Sequence, residues 1–282
     1  METLHIPTQD QFTLAASVFT PTQSNGKAIL INSATAVKRQ YYRHFAQYLA
    51  QQGYWVYTYD YRGIGDSRPR SLKGFEAYMH QWGTQDFEAM MRYLQQQHPT
   101  LSYFLVGHSV GGQLVGLSKQ SLALKAMVFV ASQVGYWKYW KDLKGKAFML
   151  STMYAFIPTL SQLFGYLPTK SLGLMEDLPY GVAREWSKWC RNPDYLFKYF
   201  NPQSYFFSKI KAPILTYSFS DDMYAPHKAV ENLLTYYSSA AITHQKYTPQ
   251  LLNTAKIGHF GFFKKSFPVA KWQQIADWLD TF

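Results

Sequence analysis

The stretch SYFLVGHSVGG, residues 102–112, decides the fold because it joins an apolar run to the five-residue pattern GxSxG. An apolar run of this length, bounded by turn residues, is typical of a buried strand. In GxSxG the serine lies on a sharp turn between a strand and a helix, so its hydroxyl is exposed. Small neighbours, here Gly107 and Gly111, let other backbone pass close by. Ser109 is therefore the candidate nucleophile. Because so short a pattern also arises by chance, the rest of the chain has to support it.

Strands and helices alternate on both sides of this stretch. Apolar or alternating runs predict two strands within 3–20 and further strands at 27–31, 54–59, 102–106, 125–130, 213–218 and 242–247. Helices are expected at 38–52, 85–97, directly after Ser109, 226–237 and 268–279. This order indicates an α/β fold with a mostly parallel central sheet of about eight strands flanked by helices. Such sheets place their functional residues at the carboxyl ends of the strands.

The alternation stops at about Gln133, and residues 134–206 read as helical throughout, with prolines as punctuation. A helical insertion between two halves of one sheet is most simply a cap over the functional edge of that sheet. We therefore predict a core made of residues 1–133 and 207–282, and a helical cap, or lid, made of residues 134–206.

Two further positions fit the chemistry of a serine nucleophile, which needs a base, an acid that orients the base, and backbone N–H donors. The loop after strand 213–218 contains two acids, Asp221 and Asp222, either of which could instead cap the next helix. His259 lies between a strand and the last helix, with glycines nearby. A purely structural loop histidine is the alternative. The order serine, acid, histidine is the one expected after a strand–serine–helix turn.

Four stretches occur in a familiar order: YYRHFAQYLAQQGYWVYTYDYRGIGDS (41–67), GHSVGG (107–112), DDMYAP (221–226) and GHFGFF (258–263). Over nearly its whole length the chain resembles the α/β-hydrolase fold superfamily. Within it, the chain is similar to the lid-bearing serine hydrolases related to monoacylglycerol lipases and serine aminopeptidases. The resemblance implies a catalytic triad of Ser109, Asp222 and His259, because the family's acid precedes the proline by four positions. It also implies that the turn of residues 62–67 is structural and not catalytic.

The resemblance further implies an oxyanion hole made of two backbone N–H groups. Such hydrolases commonly have His-Gly after the third strand, and the next residue supplies one donor. Counting back from Asp60 aligns Ser33 and Ala34 with that pair, so Thr35 is the expected donor. Val110, which follows the nucleophile, is the second. The departure from His-Gly leaves the donor intact, since a backbone N–H does not depend on its side chain.

Three neighbours of these groups are candidate substrate-pocket residues: Ala34, His108 and Phe260. The side chain of His108 is expected to point away from that of Ser109 and to support the site from behind.

Composition limits the classes of partner. Hydrophobic residues make up 47% of the chain, which excludes disorder. The net charge of +11 is spread along the chain without a dense basic run or a nucleic-acid-binding motif, so we expect no nucleic-acid partner. Cys190 is the only cysteine, and the first residues lack the features of a secretory signal, so a cytoplasmic location is expected. No cofactor and no metal are expected, and the oligomeric state is open.

The cap contains an uncharged segment, residues 147–169, that is long enough to raise the question of a membrane span. Its serines, threonines and prolines weaken that case, and we favour a lid over an apolar pocket.

The expected activity is hydrolysis of a small or medium apolar ester through an acyl-enzyme. Amidase, aminopeptidase or acyltransferase activity on the same triad remains an alternative, a non-enzymatic ligand-binding module is less favoured, and a weak contact of the cap with a membrane surface stays open.

Overall fold

The computed structural model describes all 282 residues, Met1–Phe282. Ten strands are present: β1 (Glu2–Pro7), β2 (Thr13–Phe19), β3 (Lys27–Asn32), β4 (Trp55–Tyr59), β5 (Ser102–His108), β6 (Leu124–Val130), β7 (Tyr166–Leu167), β8 (Leu178–Pro179), β9 (Ile214–Phe219) and β10 (Ile242–Tyr247). Eight of them form one sheet in the order β1-β2-β4-β3-β5-β6-β9-β10. Within this sheet, only the pairs β1–β2 and β2–β4 are antiparallel. The predicted mostly parallel sheet of about eight strands is therefore confirmed.

Nine α-helical segments accompany the strands: α1 (Arg43–Gln51), α2 (Met79–Gln81), α3 (Glu88–Gln97), α4 (Val110–Gln113), α5 (Leu143–Ser151), α6 (Ile157–Phe164), α7 (Tyr180–Cys190), α8 (His227–Thr235) and α9 (Val269–Asp280). The helix expected after Ser109 is only one turn long, and a 3-10 turn, Val115–Leu117, follows it. This short helix is tightly packed, because a Cβ on Gly112 would lie 2.4 Å from the hydroxyl of Ser132.

One continuous core holds the sheet and its helices together. The central strands β5, β6 and β9 are almost wholly buried, as near-continuous apolar strands of a parallel sheet should be. Helices α1 and α9 pack on each other through Phe45 and Trp272, whose ring centroids are 5.4 Å apart. The same cluster of 79 buried residues includes Met153 and Trp189, which belong to the segment of the chain that follows β6 and precedes β9. The inserted segment is thus packed on the core and is not a separate lobe.

Between β6 and β9 the chain adds no strand to the main sheet. A π-helical turn, Thr152–Phe156, joins α5 and α6 into one helix from Leu143 to Phe164, which is long and apolar enough to cross a membrane by length and composition. The prediction that this region is helical throughout is wrong at one place. Strands β7 and β8 pair antiparallel, because the loop after α6 folds back and brings Leu167 opposite Leu178. The boundaries 134 and 206 stay a prediction.

Candidate active site

Ser109 lies on a strained turn at the carboxyl end of β5. Its backbone has φ 52° and ψ −116°, a conformation that a non-glycine residue adopts only when its surroundings impose it. The surroundings are crowded: a Cβ on Gly111 would lie 2.3 Å from the carbonyl oxygen of Asn32, and one on Gly107 would lie 2.7 Å from the amide nitrogen of Gly112. The glycines therefore permit the turn that directs the serine hydroxyl out of the sheet.

Asp222 and His259 form a hydrogen-bonded pair. His259 Nδ1 lies 2.7 Å from Asp222 Oδ2, and both side chains are buried. The other carboxylate oxygen of Asp222 accepts hydrogen bonds from the backbone N–H groups of Tyr224 (2.8 Å) and Ala225 (3.0 Å). These bonds fix the carboxylate in the loop after β9, so the acid is held in place before it contacts the imidazole.

Asp221 has a different task from its neighbour. Its Oδ2 accepts hydrogen bonds from the backbone N–H groups of Ile257 (2.8 Å) and Gly258 (3.0 Å), and so ties the acid loop to the segment that precedes His259. Of the two acids left open by the residues alone, the structure brings Asp222 to His259. Both contribute to placing the histidine, one through its ring and one through its backbone.

Two backbone N–H groups near Ser109 are available as donors. Val110 is the first residue of α4, and the first N–H groups of a helix have no intrahelical acceptor. Thr35 lies in the loop after β3, lines the same cavity as Ser109, and its N–H contacts no acceptor in the protein. The N–H of Ala34, in contrast, donates to the hydroxyl of Tyr42 at 2.8 Å. The N–H of Thr35 is therefore free of a protein acceptor, and its part in an oxyanion hole stays a prediction.

His108 does not line the cavity, so its place among the candidate pocket residues is wrong. The ring is fully buried behind Ser109, because successive side chains of a strand point to opposite faces. Its Nε2 lies 2.9 Å from the carbonyl oxygen of His259, and its Nδ1 lies 2.9 Å from the hydroxyl of Tyr42. Burial, together with the nearby His259, holds the pKa of His108 well below its ordinary value.

These contacts fix the tautomer of His108. A carbonyl oxygen only accepts, so the neutral ring donates from Nε2 to His259 and accepts at Nδ1 from the Tyr42 hydroxyl. The Tyr42 oxygen in turn accepts from the N–H of Ala34. A continuous chain of hydrogen bonds therefore joins the loop of Thr35 to the backbone of His259. Tyr42 lies far from the GxSxG pattern, and only its position next to α1 in the first matching stretch could have drawn attention to it.

A cavity of about 480 Å³ opens beside Ser109 and His259. Ala34 and Phe260 line it, in agreement with the pocket prediction. Most of the opposite wall comes from the long α5–α6 helix, through residues that sequence reasoning did not single out: Phe148, Met149, Met153, Phe156 and Ile157. No Asp, Glu, Lys or Arg side chain lines the cavity. The uncharged run 147–169 was the only signal of this wall.

No group of three or more His, Cys, Asp or Glu side chains is arranged to hold a metal ion. The single cysteine, Cys190, is buried at the end of α7, and burial raises the pKa of its thiol far above the ordinary range. A thiol that stays protonated is a poor nucleophile.

Comparisons with known proteins bear on the family and the fold of the chain. A family model described as serine aminopeptidase, S33, matches residues 24–201. No curated protein sequence matches the chain. Among solved structures, an esterase from Pyrococcus furiosus is similar with a TM-score of 0.65 and 14% identity, covering 100% of this chain and 91% of that one. An esterase from Thermogutta terrifontis, solved with malate bound, gives a TM-score of 0.62 and 12% identity over 100% and 99%. A serine hydrolase without a lid from Xanthomonas campestris is similar with a TM-score of 0.55 and 13% identity, covering 99% of this chain and 92% of that one. At such identities these structures establish a shared fold.

Proposed function

This chain belongs to the serine aminopeptidase S33 family and is a serine hydrolase, and from that premise we propose that it cleaves carboxylic esters of apolar acids through an acyl-enzyme on Ser109. The observation that supports the proposal best is that Ser109, on its strained turn, lines one cavity with His259, whose Nδ1 is bonded to Asp222. Because Nδ1 is engaged, Nε2 is the nitrogen left to exchange a proton with the serine.

The proposed reaction has two halves. In the first, Ser109 Oγ bonds to the substrate carbonyl carbon while His259 Nε2 takes the hydroxyl proton. The N–H groups of Thr35 and Val110 stabilise the oxyanion. When the carbon–oxygen bond to the alcohol breaks, the imidazolium returns its proton to that alcohol. In the second half, water adds to the acyl carbon while His259 Nε2 takes a proton from it. The bond between the acyl carbon and Ser109 Oγ then breaks, the imidazolium returns its proton to Ser109 Oγ, and the carboxylic acid is released.

The lining of the cavity favours an apolar acyl group over a peptide N-terminus. An aminopeptidase has to hold a charged ammonium group, and ion pairing with a carboxylate is the strongest way to do so. The cavity contains no such carboxylate, and 13 of its 21 lining residues are hydrophobic. Its volume of about 480 Å³ is in the range of pockets that enclose small organic ligands. We therefore place ester hydrolysis before aminopeptidase activity.

The test is turnover of aryl esters of graded acyl length, with Ser109→Ala as the matched variant. We expect the wild-type protein to hydrolyse these esters and to be labelled by a fluorophosphonate. The variant should lose at least about a thousandfold in kcat and all labelling, because the nucleophile is gone while oxyanion donors and binding remain. Added amine or alcohol acceptors would reveal acyl transfer in the same assay. Absence of both turnover and labelling in the folded wild-type protein would refute the proposal and favour a non-catalytic binding module.

A further inference from the structure

We infer that the outward face of the cap helix Leu143–Phe164 docks the protein on the surface of an anionic lipid bilayer. This inference concerns attachment and does not depend on the reaction proposed above. It rests on three observations: a concentration of exposed apolar side chains, the way the helix is anchored, and an unpaired group of lysines at its N-terminal end.

Exposed apolar side chains are concentrated on this part of the chain. Half of the large hydrophobic side chains that the protein exposes, nine of eighteen, lie within residues 143–174. They are Leu143, Phe148, Leu150, Tyr154, Phe156, Leu163, Phe164, Leu172 and Leu174. Single exposed hydrophobic residues are normal on a soluble protein, but such a concentration of them is typical of an interaction surface. Its members include aromatic and leucine side chains, the types that enter the boundary between headgroups and acyl chains.

The helix is anchored to the protein along one face only. Met149, Met153, Ile157 and Ser161 recur every four residues and are buried. Behind them, the carbonyl oxygen of Met153 accepts hydrogen bonds from Ser187 Oγ and Arg191 Nε of α7 and its C-terminal end. Only 22% of the apolar window of the helix is buried. A helix fixed in this way lies on a membrane, since crossing the bilayer would require it to leave its contacts with α7.

The charges next to the helix indicate which kind of surface it fits. Four lysines lie within nine residues: Lys138, Lys141, Lys144 and Lys146. None of them forms a salt bridge. The only acid among them is Asp142, whose carboxylate is engaged with the N–H of Gly145 at 2.6 Å as the cap of α5. Lysines next to an apolar surface are attracted to anionic headgroups. The proposed surface is therefore an anionic bilayer and not a neutral one.

The surface is continuous with the cavity. Phe148 and Phe156 belong to the same helix, line the cavity and are 39% and 37% exposed. An apolar molecule that leaves the bilayer at this helix therefore meets side chains of the cavity wall, and no charged side chain lines that cavity. This last step, delivery of an ester from the membrane, rests on the proposed function, whereas docking itself does not.

The experiment is co-sedimentation with vesicles of phosphatidylcholine alone and of phosphatidylcholine mixed with phosphatidylglycerol, at low and high salt. We expect binding to the anionic vesicles that weakens as salt rises, because exposed charges are screened. The double variant Leu163→Ser/Phe164→Ser should lower the bound-to-free ratio by about tenfold, since two apolar side chains no longer enter the lipid. Leu251→Ser is the matched control: Leu251 is 70% exposed and Leu163 is 72% exposed, but Leu251 lies away from the cap.

A second pair of variants tests the charge. Lys138→Gln/Lys141→Gln/Lys144→Gln should weaken anionic binding several-fold, whereas Lys209→Gln/Lys211→Gln/Lys265→Gln, with the same net charge, should not. None of these residues lines the cavity, so all variants should keep their turnover of a water-soluble aryl ester, which shows that they are folded. A wild-type protein that turns over esters but stays in the supernatant overturns the docking inference alone.

Other outcomes would also overturn it. They are equal losses for the cap and control variants, binding that ignores lipid charge and salt, or resistance to salt and carbonate extraction, which would indicate a span. Self-association of the free protein through Leu163 without vesicle binding would assign the face to a second copy of the chain.

Discussion

At the scale of single residues, two adjacent acids act on the same histidine by different routes. Asp222 contacts the ring of His259 through Oδ2, while Asp221 holds the backbone of Ile257 and Gly258. The two acids are neighbours in the chain, yet only Oδ2 of Asp222 contacts the imidazole. The pair therefore offers a test in which the same chemical change is made at neighbouring sites.

We expect Asp222→Asn to lower kcat by about four orders of magnitude, because an amide in place of Oδ2 favours the wrong tautomer of His259. Asp221→Asn should lower kcat by less than about tenfold. Its remaining carbonyl oxygen can still accept from Ile257 and Gly258, though each bond weakens when the acceptor loses its charge. Steady-state hydrolysis of one aryl ester measures both. Similar losses for the two variants would contradict the assignment of Asp222 as the orienting acid.

Tyr42 is a positioning residue whose hydroxyl bridges the N–H of Ala34 and Nδ1 of His108. In Tyr42→Phe two buried polar groups lose their partner, so the free energy of unfolding should fall by about 1–3 kcal/mol. The freed Ala34 N–H also loosens the loop of Thr35, so we expect kcat to fall while KM changes little. Tyr48→Phe, six residues further along the chain, is the control: Tyr48 is half-buried, and its hydroxyl donates to Gln273. Equal kcat in wild type and Tyr42→Phe would show that the bridge is only structural.

At the scale of elements, the end of β9 is held by a serine between two histidines. Ser218 Oγ lies 2.7 Å from Nδ1 of His227, the first residue of α8, and 2.7 Å from Nε2 of His244 on β10. Burial, with the charge of Lys246 second, lowers the pKa of His244 to about 4, and the same causes lower the pKa of His227. Glu231, on α8, acts in the opposite direction on both. The cluster therefore favours neutral histidines.

This cluster predicts acid sensitivity of the fold. Between pH 6.5 and about 4 the unfolded chain binds a proton at His244 before the folded chain does. Stability is therefore fully present above pH 6.5 and falls as the pH drops through this window. After allowance for solvent screening, the loss from His244 is about 1–2 kcal/mol. Urea unfolding at pH 7 and pH 5 measures it. His244→Gln should flatten the pH dependence, and His5→Gln, exposed on β1, should not. A slope unchanged in His244→Gln would exclude this source.

At the scale of the whole molecule, Arg62 joins segments that are far apart in sequence. Its Nε donates to Asp86 at 2.7 Å, and its two terminal nitrogens donate to Asp10 in the turn between β1 and β2, at 2.6 and 3.1 Å. Arg62 and Asp86 are both buried. The hydrogen bond from Arg62 lowers the pKa of Asp10 and burial raises it. The hydrogen bond has the larger effect, so the pKa falls to about 2. The turn of residues 62–67 thus fastens the N-terminal hairpin to the segment before α3.

Removing this arginine should destabilise the molecule strongly. Arg62→Ala removes the charged partner of the buried Asp86 carboxylate and leaves it only the hydrogen bond from the backbone N–H of residue 62. Loss of a buried charged partner typically costs about 3–5 kcal/mol. Arg92→Ala removes an exposed pair with Glu88 on α3 and should cost less than about 0.5 kcal/mol. Urea denaturation compares the two. The variant should unfold at a lower temperature than the wild type. Below that temperature Arg62→Ala should keep the kcat of the wild type, because this turn lies outside the cavity. A comparable cost for both variants would contradict the role of the buried pair.

The sequence by itself determined the order of strands and helices along the chain and the position of the strained turn at Ser109. These depend on local patterns: apolar periodicity, glycines around Ser109, and turn residues at strand ends. Strand boundaries predicted in this way differ from the structure by one or two residues, as for β5 and β9. Placing Asp222 and His259 in loops at strand ends also needed only the chain order, because parallel strands bring such loops to one edge.

Only the tertiary structure decided which groups meet. The contact of Asp222 with His259 joins residues 37 apart, and that of His108 with the His259 carbonyl joins residues 151 apart. Whether His108 faces the cavity, whether α4 continues beyond one turn, and which face of the α5–α6 helix is buried all depend on such distant contacts. The physical reason is that local sequence sets the period of burial along an element, whereas the neighbouring elements that pack against it determine which of its faces is covered.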